Sequence, residues 1–556
     1  MKNLVVSLIF ALSLVIPVVA QSDQLNVIIT PGREVELVAV LVVEGLVKID
    51  EGLRPIPCIA ESWESDGEGI EWLLHLRQDV YFHDGNPLTA HDVVYSLSSK
   101  FAIVEAVDDY TVRVRLESPN SNFLYALYVI PVVPKDFFFR FEGEILPDEE
   151  IAKALVGTGP YILCEWAPYD HLTFERFEDY WGSGPSFERI HCPVIQELST
   201  QLMMLESGQA DLILNATRDQ WTEAGYLGLE TYAAPSDSYL ALSFNFNTEL
   251  FSDPRVRKAI AHAIDRDSII EYIYQGEATV CKGPIRPEYL GGDTLEPRYE
   301  YDLEYAQKLL KEAGYDVGLS FSIMIPSYND DLIGSAQVIQ ENLAQLGACV
   351  ELETVPYPVY YEKLNSGDFE AVLFLQSTGF PVPNLRPWVS DSSRNYLGHS
   401  NLEIDNLIDQ VPYVLNQDQR VDLYRSIDDG IVRDLPCVWL LYPNQYAVAR
   451  NELRLGGTPW QITVEDGTNG IVLQTNEGYE GYWWCVWKIL EFEFFFSACI
   501  LGSPACAYLC VKACALTAGI ACISCYVQCT AGMVSSCSNA ADCWIAASDA
   551  GCFPDF

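Results

Sequence analysis

Positive charge is what this chain most lacks. Lys and Arg total 33 against 78 Asp and Glu, a formal charge of −45. Such a surface repels nucleic acid and anionic lipid, and net charge of this size speaks first to solubility, as the acidic surface of an extracytoplasmic protein. Catalytic frameworks are missing too. There is no nucleophile elbow, no Walker loop and no zincin helix, and the seven His are scattered along 556 residues; each of those chemistries needs its residues at a fixed local spacing. The reading is therefore of a protein that is not an enzyme and carries no cofactor. Nucleic acid is not an expected partner.

The N-terminus supplies a compartment. MKNLVVSLIFALSLVIPVVA has one Lys, an apolar run and a small residue at Ala20, the layout of a cleavable signal peptide over 1–20. The mature chain is expected to be secreted or extracytoplasmic. No Cys follows the cleavage site, so the usual bacterial lipid anchor is not expected there. At 556 residues the chain exceeds what one hydrophobic core organises, and more than one domain is expected.

Hydrophobic patterning divides the body. LNVIIT, EWLLHLR, TVRVRLE and LTFERFE read as half-buried strands bounded by Gly, Asp or Pro. They form a mixed, sheet-based first lobe over 21–245. From residue 246 to 445 helices take over. SDPRVRKAIAHAIDRDSIIEYIY has Asp253 to cap and Pro254 at the first helical position, with Val256, Ile260, Ala263 and Ile264 on one face. YDLEYAQKLLKEAGY has Asp302 to cap, a stripe of Ala306, Leu309, Leu310 and Ala313, and Gly314 as its stop. The order strand, helix, strand, strand that follows is that of an α/β lobe, and 446–484 is expected to return to the first lobe.

The stretch VYFHDGNPLTAHDVVYSL, residues 80–97, holds two His-Asp pairs, His83-Asp84 and His91-Asp92. A metal or proton-transfer role is one reading. The other is local: Asp84-Gly85 before Asn86-Pro87 marks a tight turn, and Thr89 three residues before Asp92 has the form of a capping box opening a helix. The two His are eight apart across a Pro-containing turn, not at the i, i+4 placement that puts two imidazoles on one helical face.

Several runs taken together resemble a known family. EGLVKIDEGLRPIPCIAESWESDGEGIEWLLHLRQDVYFHDGNPLTAHDVVYSL, then GTGPYILCEW with FEDYWG, then NFNTELFSDPRVRKAIAHAIDRDSII, then YDLEYAQKLLKEAGY and NYLGHSNLEIDNLI, are similar in content and order to the peptide- and nickel-binding class of ABC-transporter solute-binding proteins. That resemblance spans about residues 25 to 450. It implies an α/β fold, a two-lobed periplasmic-binding-protein clamshell of the type II kind with an extra subdomain, which closes over a solute and delivers it to an ABC permease. It also implies that His83, Asp84, Gly85 and Thr89 are structural hallmarks. The stretch between Leu97 and Val107 is shorter than in the family. By the resemblance, the segment after the strand AVLFLQS faces the ligand: Gln376, Thr378, Phe380, Asn384, Arg386 and Trp388 are candidate contacts, with Tyr239 and Asn245 on the first crossing strand. Peptide-binding relatives often carry an Asp in this segment for the peptide's amino terminus; here Gly379 stands at that place with no acid beside it in the sequence.

The C-terminal residues 485–556 differ in kind. Eleven of 17 Cys lie from Cys485 onward, and Lys512 is the only charge between Ala498 and Ala541. Cys510, Cys514 and Cys522 repeat in spacing at Cys525, Cys529 and Cys537, and Cys506, Cys510 and Cys514 share a helical face. Behind a secretion signal, Cys499, Cys506, Cys510, Cys514, Cys522, Cys525, Cys529, Cys537, Cys543 and Cys552 are expected to form disulfides in a small helical tail, with connectivity open. Cys522 and Cys525 alone would fit a metal half-site, and the uncharged run, with Trp483, Trp484 and Trp487 before it, would alternatively suit membrane contact. The tail is similar in spacing and composition to the cysteine-rich peptide of halocin-type bacteriocins. That likeness implies a second possible function, a secreted precursor whose tail is the effector and whose body is the carrier.

Overall fold

The structure, a computed structural model, describes residues 23–474 apart from 32–33, 51, 99, 136–154, 186, 293–298, 316–317, 380–381, 452, 459–460 and 466–469. The expected signal peptide at 1–20, the ten tail cysteines and the helical tail at 485–556 lie outside the described residues.

One strand organises everything else. Cys437–Ala449 is 13 residues long, about twice a typical strand. Its first part pairs with Ser238–Phe244 and its second with Glu230–Pro235 and Leu212–Ala216, all antiparallel. A single path of hydrogen-bonded strands therefore runs from Cys349–Val355 through Ser320–Pro326, Ala371–Ser377, Ser238–Phe244, Cys437–Ala449, Leu212–Ala216, Gln24–Ile28, Arg189–Pro193 and His171–Arg176 to Tyr161–Ala167. The chain passes between the two halves of this sheet twice, at Ser236–Asp237 and near Tyr442–Asn444, where the pairing of the long strand changes partner. Ser238–Phe244 pairs with Ala371–Ser377 and with the first part of Cys437–Ala449.

Each lobe buries its own core. The first packs Leu25, Val27, Leu41, Tyr161, Leu172, Phe174 and Ile190. The second packs Leu240, Leu242, Phe244, Ile260, Ile323, Ile339, Leu373 and Val438. A four-stranded antiparallel sheet, in the order Ala60–Ser65, Glu71–Leu76, Thr111–Arg115, Ile103–Asp108, forms the extra unit of the first lobe with a third core that includes Phe82, Leu97, Val112 and Phe123. Its Glu71–Leu76 strand alternates half-buried and buried side chains along its length, the pattern of a sheet with one covered face.

Local signals act as the sequence implies, with two changes. Asp253 caps Pro254–Ala263 by accepting from Arg255 N–H, and Asp302 caps Leu303–Glu312 by accepting from Tyr305 N–H. The run from Pro254 onward is not one helix. Ile264 leaves the helical region at φ −90°, ψ 117°, and Asp265 caps a second helix, Arg266–Tyr272, through Ser268 N–H. At Thr89 the capping roles shift. The Asp92 carboxylate accepts from Thr89 N–H at 2.9 Å and from the Thr89 hydroxyl at 2.8 Å, and also takes Lys135 N–H at 3.0 Å.

The turn at 82–86 closes through Gly85 N–H to Phe82 O at 2.8 Å and Phe82 N–H to Asn86 O at 2.9 Å. His83 works within it. Its Nε2 lies 2.9 Å from Gly159 O, its Nδ1 is met by Gly157 N–H at 3.4 Å, and Phe177 packs edge-on against the ring. Burial lowers its pKa, which suits a neutral imidazole with Nε2–H as donor and Nδ1 as acceptor. His91 points to solvent. The first His-Asp pair is a clamp on the 157–159 loop, and the second opens a helix.

Candidate binding site between the two lobes

The parallel strands of both lobes run toward the crossover. In the second lobe Ser320–Pro326, Cys349–Val355 and Ala371–Ser377 are parallel, and Ser377 pairs with Ser238 beside the first crossing. In the first, Gln24–Ile28 is parallel to Arg189–Pro193 and Leu212–Ala216, and Ala216 pairs with Tyr446 beside the second crossing. The loops after these strands therefore lie on the crossover side of both lobes, the place where ligands bind in open α/β sheets.

At the crossover the loop after Ala371–Ser377 is held from several sides. Thr378 donates its N–H and hydroxyl to Asp237 O at 2.9 and 2.6 Å. Asn384 N–H closes onto Thr378 O at 2.8 Å, and Tyr289 Oη donates to Gly379 O at 2.8 Å. Gly379 has φ +86°, and a Cβ there would lie 2.5 Å from Asn384 N and 2.6 Å from Val382 O. In this loop conformation no side chain fits at that position.

An acid is nevertheless present in space. The Asp237 carboxylate, 2% exposed, takes the Ser238 hydroxyl at 3.1 Å and lies 3.5 Å from Ser377 Oγ. Beside it the buried Arg286 bonds Glu288 through Nε and Nη2 at 3.2 and 3.1 Å, donates to Ser236 O, and stacks over the Tyr442 ring at 4.8 Å. Burial raises the hydroxyl pKa of Tyr239, Tyr289 and Tyr442 well above the ordinary value, so all three remain protonated.

The eight candidate contacts separate into groups. Gln376, Asn384 and Arg386 are half-buried at or after the end of the Ala371–Ser377 strand, and Thr378 is buried. Phe380 lies outside the described residues. Trp388 is 1% exposed and packs on Trp439 with centroids 6.2 Å apart, and Tyr239, also 1% exposed, lies edge-on to Tyr442. Both are core side chains under the site rather than on its surface. Asn245 is corrected furthest. It follows the end of Ser238–Phe244 remote from the crossing, about 23 Å away at 3.3 Å per residue. Its amide donates to Gly367 O and Phe369 O while its oxygen takes Asn247 N–H.

Two groups that the sequence reading missed stand out. Arg218 opens the helix after Leu212–Ala216, and Asp331 the helix after Ser320–Pro326; they form a bidentate pair across the cleft at 3.0 and 3.2 Å. In the first lobe the buried Glu44 accepts from Tyr180 Oη at 2.9 Å, Trp181 Nε1 at 2.9 Å and Thr158 Oγ1 at 3.2 Å, and pairs with Lys48 at 3.1 Å. A lone acid inside the apolar run VLVVEGLV was the available signal, since a buried carboxylate requires partners.

Two lobes joined by crossing strands, with strand ends facing across a cleft, define a clamshell binding protein of the periplasmic type. Residues 54–397 match the family described as bacterial extracellular solute-binding proteins, family 5 Middle, and the chain belongs to that family. It is similar to the oligopeptide-binding protein AppA of Bacillus subtilis, 26% identical over 437 residues that cover 72% of this chain and 80% of that protein. Against heme-binding protein A of Haemophilus influenzae the identity is 27% over 435 residues, covering 68% and 78%. Among solved structures, the ABC transporter-associated periplasmic binding protein DppA of Helicobacter pylori, in complex with the peptide STSA, superposes with a TM-score of 0.62 at 25% identity, covering 81% of this chain and 98% of that one. The α/β clamshell fold expected from the sequence is thereby established for the body.

Proposed function

We propose that the chain captures a small solute, peptide-like or a metal chelate, between its lobes outside the cytoplasm and hands it to the permease of an ABC importer, making and breaking no covalent bond. The observation that carries this is the facing of strand ends from both lobes across the crossover, because a solute can favour a closed form only through contacts that both lobes make at once. Family membership supports the carrier role, and the relatives named for binding oligopeptide and heme support the two solute classes.

Within the cleft, Gln376, Asn384 and Arg386 touch the solute, while Thr378, Tyr239 and Trp388 shape the wall behind them. The Gly379 loop has no acid of its own, and the nearest carboxylate, Asp237, is enclosed at the crossing. A free peptide ammonium thus lacks the partner that the segment supplies in peptide-binding relatives.

The test is native mass spectrometry of the secreted protein followed by titration with the molecules released from it. A stoichiometric small solute that rebinds at micromolar or tighter affinity is expected. A preparation that carries none and binds neither peptides nor metal chelates would overturn the reading.

A further inference from the structure

Ser121 belongs to the small-sheet unit of the first lobe, yet its polar groups bond to the second. Its N–H donates to Pro412 O at 2.6 Å, its hydroxyl to Val411 O at 2.8 Å, and its carbonyl accepts from Arg420 Nη1 at 3.0 Å. Arg420 also reaches the Tyr125 hydroxyl through Nη2 at 3.3 Å and lies over that ring at 5.4 Å, while Tyr125 Oη donates to Leu53 O at 2.9 Å. Ser121 and Arg420 are each 8% exposed. Ile49, Leu53 and Tyr125 of the first lobe share one buried cluster with Tyr289, Leu290 and Tyr424 of the second.

None of these contacts is local. Those of Ser121 and Tyr125 with Val411 and Arg420 join residues 290 to 299 apart in the chain and tie the first lobe to the second. The acceptors that meet Arg420 here, a carbonyl and a phenol oxygen, are neutral. A guanidinium buried against neutral oxygens gains hydrogen bonds and loses hydration, so the contact can form and release without the hold of a fully paired buried ion.

We propose that the Ser121–Arg420 contact is a solute-independent clasp that biases this body toward its closed form. The proposal rests on the solute-binding reading for its biological meaning but not for its measurement. A contact made only in the closed form raises the apparent affinity of every solute that binds that form, by the factor by which it raises the closed population. It is blind to the solute's chemistry, unlike a residue in the cleft wall.

The test is hydrogen exchange by mass spectrometry on the full chain with no solute present. Peptides covering 117–127 and 409–421 are expected to be protected, and Arg420→Ala to speed exchange in both about tenfold, the effect of losing a hydrogen bond to a charged group. The peptide covering 238–244 should stay unchanged. Free exchange of both clasp peptides in the unaltered protein would overturn the proposal, as would no change in Arg420→Ala with 238–244 still protected. Should Arg420→Ala lose protection everywhere, Ser121→Ala replaces it, removing only the bond to Val411 O; faster exchange confined to the two clasp peptides is then expected, and its absence overturns the clasp. Solute binding is scored separately by the mass-spectrometric search, so failure of one reading leaves the other measurable.

Discussion

Arg218 and Asp331, contributed by different lobes, meet in parallel, Nη2 to Oδ1 at 3.0 Å and Nη1 to Oδ2 at 3.2 Å. Each opens a helix at the end of a strand that runs toward the crossover, and their side chains are 17% and 35% exposed. A part-buried pair of this kind is screened by salt only in part. A double-mutant cycle with Arg218→Ala and Asp331→Ala, read by urea unfolding, should give a coupling of about 0.2–1 kcal/mol at low ionic strength. It should shrink without vanishing near 1 M salt, where the Debye length is roughly 3 Å. A coupling that persists undiminished in high salt would mean the two residues are linked by packing and not by charge.

Burial holds the His83 imidazole below its ordinary pKa of 6.5. The unfolded chain therefore takes up a proton at a pH where the folded chain does not, and stability contributed by the neutral ring, complete above 6.5, declines as pH falls toward the folded value. His83→Gln keeps a donor for Gly159 O and cannot titrate. Its unfolding free energy should vary less between pH 6.5 and about 5 than that of the unaltered protein. An equal slope in both would assign the titration to other groups, among them His191, whose pKa burial also lowers.

A Cβ at Gly157 would fall 1.8 Å from Val42 O, and backbone cannot yield as a flexible side chain does. Gly157→Ala should destabilise by about 3 kcal/mol or more, at the upper end of overpacking costs. Urea midpoints of the variant and the unaltered protein check this, with unchanged m-values confirming that native stability is what moved. A loss under about 1 kcal/mol would show that the 157–159 loop lifts freely off the end of the Glu34–Val42 helix.

Asn245 and Asn384 make opposite expectations. Asn245→Ala strands the buried Phe369 O and the half-buried Gly367 O, at about 1–3 kcal/mol of stability, and leaves affinity for the copurifying solute within twofold. Asn384→Ala should alter stability little and weaken that solute about tenfold, the effect of one lost polar contact. Calorimetric titration paired with thermal unfolding separates the two, and a solute affinity hit equally hard by Asn245→Ala would return that residue to the cleft.

What could be read from the sequence was whatever a few neighbouring residues decide. Asp253-Pro254 and Asp302 mark helix starts because the cap and its N–H partner lie within three residues, and the Asp84-Gly85 turn is local for the same reason. The break at Ile264 was hidden because Val256 to Ile264 keeps an apolar face right up to it; only the Asp265 and Ser268 spacing hinted at a new start. Family order supplied the clamshell, yet it misplaced Asn245, since a seven-residue strand has two ends and pattern alone does not say which faces the cleft. Asp237 beside the Gly379 loop, Arg218 with Asp331, and Ser121 with Arg420 join residues 113 to 299 apart in the chain. No periodicity reports such pairs.

The strand shared by both lobes is also, among the described residues, the last of the main sheet to be synthesised. Until Cys437–Ala449 arrives, Ser238–Phe244 lacks its neighbour on one side and Leu212–Ala216 lacks its own, so a nascent chain of more than 430 residues carries two unpaired edges in its middle. Neither lobe can complete its sheet on its own, and folding of the body cannot finish domain by domain as synthesis proceeds. The consequence is a long window in which the chain stays unfinished and threadable, and in which a holdase can keep those edges from pairing with another copy.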